Sequence, residues 1–191
     1  MSKPTVRSAA EALDAGEVMI VPTDTVYGLA ARPDRTGAMK EIFVLKGRPA
    51  DKALPILGDS LGALLSVANF SADAVKLAER FWPGPLTLVL ARAGSFTYDL
   101  GGPNDGTVAV RVPDHDLARS LLEATGPLAV TSANRSGDRP AETGTDAALL
   151  FPELLLLDGG LCNGAPSTVV DFGDIPQIVR QGPVTASDLG I

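Results

Sequence analysis

The chain's 191 residues, 45% of them apolar and 20% charged, suffice for one domain with a sizeable core and exclude disorder over most of the length. Sixteen basic residues against 23 acidic ones give a formal net charge of −7. That lacks the basic excess of a duplex-binding protein and leaves room only for a local cationic cleft.

The first apolar period, Val6, Ala9, Ala10 and Leu13, predicts a helix stopped by Gly16. Residues 18–21 read as a buried strand ended by Pro22, and residues 23–28 as a structured polar loop at its end. Residues 36–46 predict a second helix, with Gly47 placed for a left-handed cap and Pro49 blocking continuation. Residues 54–57 read as a strand. Asp59 and Ser71 are expected N-caps of two helices, the second running to about Phe81. Trp82-Pro83-Gly84-Pro85 reads as a rigid turn into a strand at 86–90, followed by a flexible Gly-rich stretch at 94–106. A strand at 107–112 leads to a helix capped by Asp114 and ending near Gly126. A strand at 128–131, a helix at 145–150 and strands at 154–157, 168–171 and 177–180 complete the pattern. Helices and strands mix without a linker, repeat or break in composition, so residues 1–191 are expected to form one α/β domain around a mixed sheet.

The chemistry-bearing residues are few. Lys46-Gly47-Arg48-Pro49-Ala50-Asp51-Lys52 places three cations within seven residues at a helix end. Arg offers a planar fork and Lys a point charge for polyphosphate. The same segment also suits a solvated basic loop, with Lys46 offsetting the helix dipole. Hydroxyls and amides recur at strand ends: Thr23 and Thr25, then Thr131, Ser132 and Asn134, then Ser167 and Thr168. Ligand sites collect at such ends, although turns favour the same residue types. No phosphate-loop, dinucleotide or nucleophile-elbow motif is present. Gly159-Gly160-Leu161-Cys162-Asn163-Gly164 reads as a tight turn between strands. Asp24 suits a turn that bonds its own backbone, or a metal. His115, the sole histidine, sits at a helix start, and Cys162, the sole cysteine, is expected to be a buried hydrophobe. One of each excludes an intrachain disulfide and a Cys/His zinc cluster. No apolar run reaches membrane-span length and Met1-Ser2-Lys3-Pro4 opens no apolar signal core, so the cytoplasm is the expected location.

Seven segments, in order, resemble the YrdC-like family of threonylcarbamoyl-AMP synthases. They are residues 21–29 (VPTDTVYGL), 46–49 (KGRP), 82–87 (WPGPLT), 108–113 (VAVRVP), 131–137 (TSANRSG), 167–171 (STVVD) and 179–182 (VRQG). The resemblance implies a three-layer fold around a twisted mixed sheet with a concave cationic cleft. It implies formation of threonylcarbamoyl-AMP and pyrophosphate from L-threonine, bicarbonate and ATP, with Mg²⁺ accompanying the ATP and no metal held by the protein alone. The product would pass to a separate complex that modifies tRNA; whether tRNA touches this chain stays open. By analogy Lys46, Arg48, Ser132 and Asn134 form the catalytic set. Thr25, Tyr27, Arg111 and Ser167 would bind L-threonine. Arg48, Lys52, Thr87, Ser132 and Arg180 would bind ATP. The chain departs from the family at Lys52-Ala53-Leu54, where many relatives have Lys-Pro-Leu, and at Leu57, near which some carry a histidine. Residues 94–106 are one candidate lid. Two other readings remain: an RNA-binding module on the same scaffold, which the acidic balance and few aromatics disfavour, and a carbamoyl-adenylate enzyme with another acceptor.

Overall fold

Alternate residues along the strands sort into two apolar sets, and that sorting builds the layers. In the computed structural model, which describes residues 4–49, 51–103, 105–162, 164–173 and 175–191, nine strands join one sheet. Met1-Ser2-Lys3, Ala50 of the cationic segment, Asn104 of the Gly-rich stretch and Asn163 of the Gly-rich turn lie outside the described residues. The strands are β1 (Met19–Val21), β2 (Gly28–Ala31), β3 (Ile56–Leu57), β4 (Leu86–Ala91), β5 (Thr107–Arg111), β6 (Leu128–Ser132), β7 (Leu155–Leu156), β8 (Thr168–Asp171) and β9 (Gln177–Arg180). Their order is β7-β1-β2-β6-β3-β5-β4-β8-β9. The β1–β7, β3–β5 and β4–β8 pairs are parallel and the others antiparallel, so the sheet is mixed.

On one face Met19, Val21, Ala30, Leu57, Leu128 and Val130 pack with Ala9, Ala12 and Leu13 of α1 (Val6–Ala15) and Leu121 and Leu122 of α5 (Asp116–Thr125). On the other, Ile20, Leu29, Ala31, Ile56 and Ala129 pack with Met39 and Ile42 of α2 (Thr36–Lys46), Ala74 and Ala78 of α4 (Ala72–Phe81) and Ala147 of α6 (Gly144–Leu150). Two helical layers thus sandwich the sheet, as a sheet with two apolar faces requires. Short helices α3 (Leu61–Leu64) and α7 (Ala186–Leu189) complete the described elements.

Helix ends follow local chemistry. Gly47 takes a left-handed φ of 56° and ends α2, so Lys46 is the helix's last residue. Two caps differ from the sequence expectation by one residue. Ser60, not Asp59, accepts the Ala63 N–H, and His115, not Asp114, accepts the Ala118 N–H of α5 at 3.4 Å. β2 is not among the strands expected from the sequence, and only its first residue, Gly28, falls in the segment 23–28 that reads as a loop. Gly28-Leu29-Ala30-Ala31 carries no β-branched residue and is buried throughout, so no alternation marks it.

The helices α1 and α5 cover only part of their face. Farther along the sheet on that face lie Leu57, Arg111, Ala109, Thr87 and Val169, related by the β3–β5, β4–β5 and β4–β8 registers. These residues floor a cleft. The stretch 94–106 has no helix or strand among its described residues, yet it is fastened to the body, contrary to a flexible lid. Phe96 and Leu100 are buried, and Leu100 O accepts the Leu54 N–H at 2.9 Å. A Cβ on Gly102 would lie 2.5 Å from Ala53 N, so backbone packs on backbone directly behind the cleft wall.

Candidate active site

The cleft encloses about 440 Å³, within the range of small-molecule sites. Its walls come from the β1–β2 connection (Thr23, Thr25), the segment after α2 (Arg48, Ala53, Pro55), the end of β6 (Val130, Thr131, Ser132) and the start of β8 with β9 (Pro166, Ser167, Arg180). No Asp or Glu is among these lining residues, although the chain as a whole is acidic. No group of three or more His, Cys, Asp or Glu among the described residues has the arrangement of a metal site.

Part of the cleft is built around Arg111 at the end of β5. Its Nε donates to Gly84 O at 3.0 Å, Nη1 to Thr25 Oγ1 at 3.1 Å and Nη2 to Asp24 Oδ1 at 2.5 Å. Thr25 Oγ1 also bonds Thr23 Oγ1 at 3.0 Å, and Thr23 Oγ1 donates to Val26 O at 2.6 Å. Burial lowers the Arg111 pKa and Asp24 opposes that shift. Three of its five N–H protons are occupied, leaving one on each Nη for a ligand. A rigid guanidinium with two spare donors fits a carboxylate.

The centre holds Lys46 beneath the end of β6. Its side chain is 3% exposed, and Nζ donates to Ser132 O at 2.5 Å, Asn134 O at 2.9 Å and Asn134 Oδ1 at 3.0 Å. All three ammonium protons have partners. Asn134 is equally committed: its amide nitrogen donates to Arg135 O and Asp138 O, and its Oδ1 also accepts from Ser132 Oγ at 2.6 Å. Burial, and secondarily the Arg48 cation, push the Lys46 pKa down to about 8. Lys46 and Asn134 therefore brace Ser132, and of the three only Ser132 lines the cleft.

Two further cations of the cleft have no carboxylate of the described residues within ion-pair distance: Arg48, which follows α2, and Arg180 on β9, which lies near enough to Arg111 for the two positive charges to oppose each other. Arg48 Nε donates to Lys52 O at 3.0 Å and Nη2 to Ala53 O at 2.9 Å, which fixes the guanidinium against the wall and lowers its pKa by burial. Nη1 has no hydrogen-bond partner among the described residues. Arg180 donates through Nε and Nη2 to Ser167 O at 3.0 and 2.9 Å and through Nη2 to Ser167 Oγ at 3.1 Å. Ser167 Oγ shares a 2.8 Å hydrogen bond with Thr87 Oγ1.

The structure gathers Thr25, Arg48, Thr87, Arg111, Ser132, Ser167 and Arg180 at one cleft, with Lys46 and Asn134 behind its centre. Lys52 is exposed and absent from the lining; its carbonyl, not its amine, engages Arg48. Tyr27 reaches the wall but is fully buried, and its hydroxyl donates toward Gly160 O at 2.7 Å and accepts the Gly159 N–H at 3.0 Å. Burial raises its pKa to about 12. Thus the Tyr27 hydroxyl joins the 159–160 turn to the cleft wall. Cys162 is buried and its thiol pKa is raised by that burial, while His115 serves as a helix cap. Asp24 was read from the sequence as a turn or metal residue. It is instead the ion-pair partner of Arg111, with side chains only 14% and 7% exposed.

Comparison with known proteins gives a consistent result. The family model described as "Telomere recombination" (Sua5/YciO/YrdC) matches residues 11–182. A Mycobacterium tuberculosis protein is 37% identical over 183 residues, covering 93% of this chain and 84% of that protein. The threonylcarbamoyl-AMP synthase of Pyrococcus abyssi is 40% identical over 180 residues, 91% of this chain and 52% of that protein. The crystal structure of P. abyssi Sua5 complexed with L-threonine matches with a TM-score of 0.89 at 37% identity, over 96% of this chain and 56% of that one. This chain spans about half the length of the Pyrococcus protein.

Proposed function

The chain belongs to the Sua5/YciO/YrdC family, and from that premise we propose that it is an L-threonylcarbamoyladenylate synthase acting on L-threonine, bicarbonate and ATP. The observation that carries the reading is the difference among the three arginines of the cleft. A buried, carboxylate-paired Arg111 keeps two spare donors suited to a carboxylate, while Arg48 and Arg180, which have no carboxylate of the described residues within ion-pair distance, line the same cleft as cations suited to phosphate.

The threonine carboxylate takes the two free N–H groups of Arg111, which Asp24, Thr25 and Gly84 O hold in place. The amine nitrogen bonds to the bicarbonate carbon with loss of water, giving a carbamate. A carbamate oxygen then attacks the α-phosphorus of ATP, and the bond to the β-phosphate oxygen breaks to release pyrophosphate. Both bonds form between substrates, so no protein nucleophile is needed. The buried Cys162 and the capping His115 accord with that. What the protein supplies is position and charge. Arg48 and Arg180 face the phosphates. Ser132 Oγ, whose proton points to Asn134 Oδ1, presents lone pairs toward the cleft. Lys46 holds the Ser132 and Asn134 carbonyls and adds a fixed positive charge beneath the reacting centre. The lining offers hydroxyls and cations but no carboxylate, so the donor set fits a Mg²⁺ carried on ATP phosphate oxygens and water. The adenylate then passes to a separate tRNA-modifying complex. No helix of the described residues is long and apolar enough to cross a membrane, and consumption of ATP suits the cytoplasm.

The test is pyrophosphate release measured with each substrate omitted in turn. Release must require both L-threonine and bicarbonate; robust release without either overturns the reading.

A further inference from the structure

Three arginines of the cleft sit on polar partners, but among the described residues only Arg111 forms an ion pair with a carboxylate. Arg111 has Asp24 Oδ1 at 2.5 Å, both groups being largely buried. Among the described residues Arg48 and Arg180 are hydrogen-bonded only to carbonyl and hydroxyl oxygens, and the one carboxylate that acts on Arg48, Asp51, does so from beyond ion-pair distance. A phosphate entering the cleft meets three guanidinium groups and no carboxylate among the lining residues. On geometry alone it could settle at any of them, because a guanidinium fork matches phosphate as well as carboxylate. A neighbouring carboxylate changes that balance. It repels a dianion more than a monoanion, most strongly at a buried site where solvent screens little.

We propose that Asp24 is a specificity-determining positioning residue: it orients the Arg111 fork and cancels its charge, so that this fork accepts the carboxylate of a zwitterionic amino acid and refuses phosphate. Asp24 does so through Arg111, without touching the substrate. The nucleotide phosphates are thereby left to Arg48 and Arg180, and the two substrates cannot bind in exchanged positions. The inference rests on the synthase reading and adds to it the device that sorts the two anions.

The test variant is Asp24→Asn, which keeps an oxygen within reach of Nη2 and removes the charge. Inorganic phosphate is the probe. In the wild-type enzyme phosphate inhibits competitively against ATP and leaves the KM for L-threonine unchanged. In Asp24→Asn phosphate becomes competitive against threonine as well, with an inhibition constant at least tenfold lower than any threonine-competitive component of the wild type. The KM for ATP measured without phosphate stays within about threefold. Direct titration provides the second readout. Phosphate raises the melting temperature of Asp24→Asn more than that of the wild type, and threonine displaces it. A purely structural role predicts a lower melting temperature with no new phosphate site, and that result overturns the proposal. So does an Asp24→Asn enzyme with wild-type threonine KM and phosphate inhibition. Asp24→Glu, which restores the charge, returns phosphate to ATP-only competition. If the wild type itself releases no threonine-dependent pyrophosphate, the synthase reading fails first, whatever the titrations give.

Discussion

Replacing Lys46 by methionine removes an ammonium while keeping most of the side-chain volume. Of its three acceptors, Ser132 O retains the Asn134 N–H and Asn134 Oδ1 retains the Ser132 hydroxyl. Asn134 O alone loses its partner among the described residues. One orphaned buried carbonyl costs about 1–3 kcal/mol. The weakened bonds at the other two oxygens are offset by no longer burying a charge, whose cost is visible in the pKa of about 8. A net loss of about 1–3 kcal/mol lowers the melting temperature of a chain this size by roughly 2–12 °C. Activity falls much further. A fixed positive charge behind the centre, felt through a buried site, and the brace it gives Ser132 together contribute on the order of 100-fold or more. The assay pairs thermal unfolding with threonine-dependent pyrophosphate release on the same preparation. A folded Lys46→Met enzyme within about threefold of wild-type kcat/KM refutes the assignment of Lys46 to the centre of the site.

The same ammonium predicts a pH effect of opposite sign on activity and stability. Its folded pKa of about 8 lies below the 10.5 of a free lysine, so it is charged below pH 8 and kcat/KM falls as pH rises through 8. Between 8 and 10.5 the unfolded chain binds the extra proton, so the contribution of Lys46 to stability rises with pH there. A pH–rate profile flat to pH 10 contradicts this. Gly102→Ala tests the wall that anchors Arg48. Gly102 has φ +78°, and an added Cβ would meet Ala53 N at 2.5 Å. About 1–3 kcal/mol of strain is expected in unfolding measurements. A raised KM for ATP is also expected, because Ala53 O anchors Arg48; an unchanged KM would detach residues 99–102 from the site.

Local features of the sequence were legible where one short segment decides the outcome. Residues 36–46 with Gly47, and the strands at 168–171 and 177–180, lie where the period and the cap place them. β2 escaped because residues covered on both faces lose the period of two. The 94–106 stretch looked mobile from its glycines, yet Phe96 and Leu100 hold it and Gly101 and Gly102 permit close packing. In the site, residue types were readable and pairings were not. Lys46 is a cation at a helix end, but its direction is set by Ser132 at the end of β6 and Asn134 just beyond it, more than 80 positions away. Asp24 meets Arg111 across 87 positions, and no local pattern announces that pair. Tyr27 lies in the recognisable 21–29 segment, whereas its hydroxyl answers to the turn at 159–160.

The central claim is that this chain joins threonine, bicarbonate and ATP in one cleft. The most direct measurement follows carbon-labelled bicarbonate into adenylate by mass spectrometry, alongside pyrophosphate release. The account predicts one labelled carbon in a threonine-containing adenylate for each pyrophosphate formed, with both signals lost when threonine is withheld. Pyrophosphate released without label in the adenylate, or labelled adenylate formed without threonine, would contradict it.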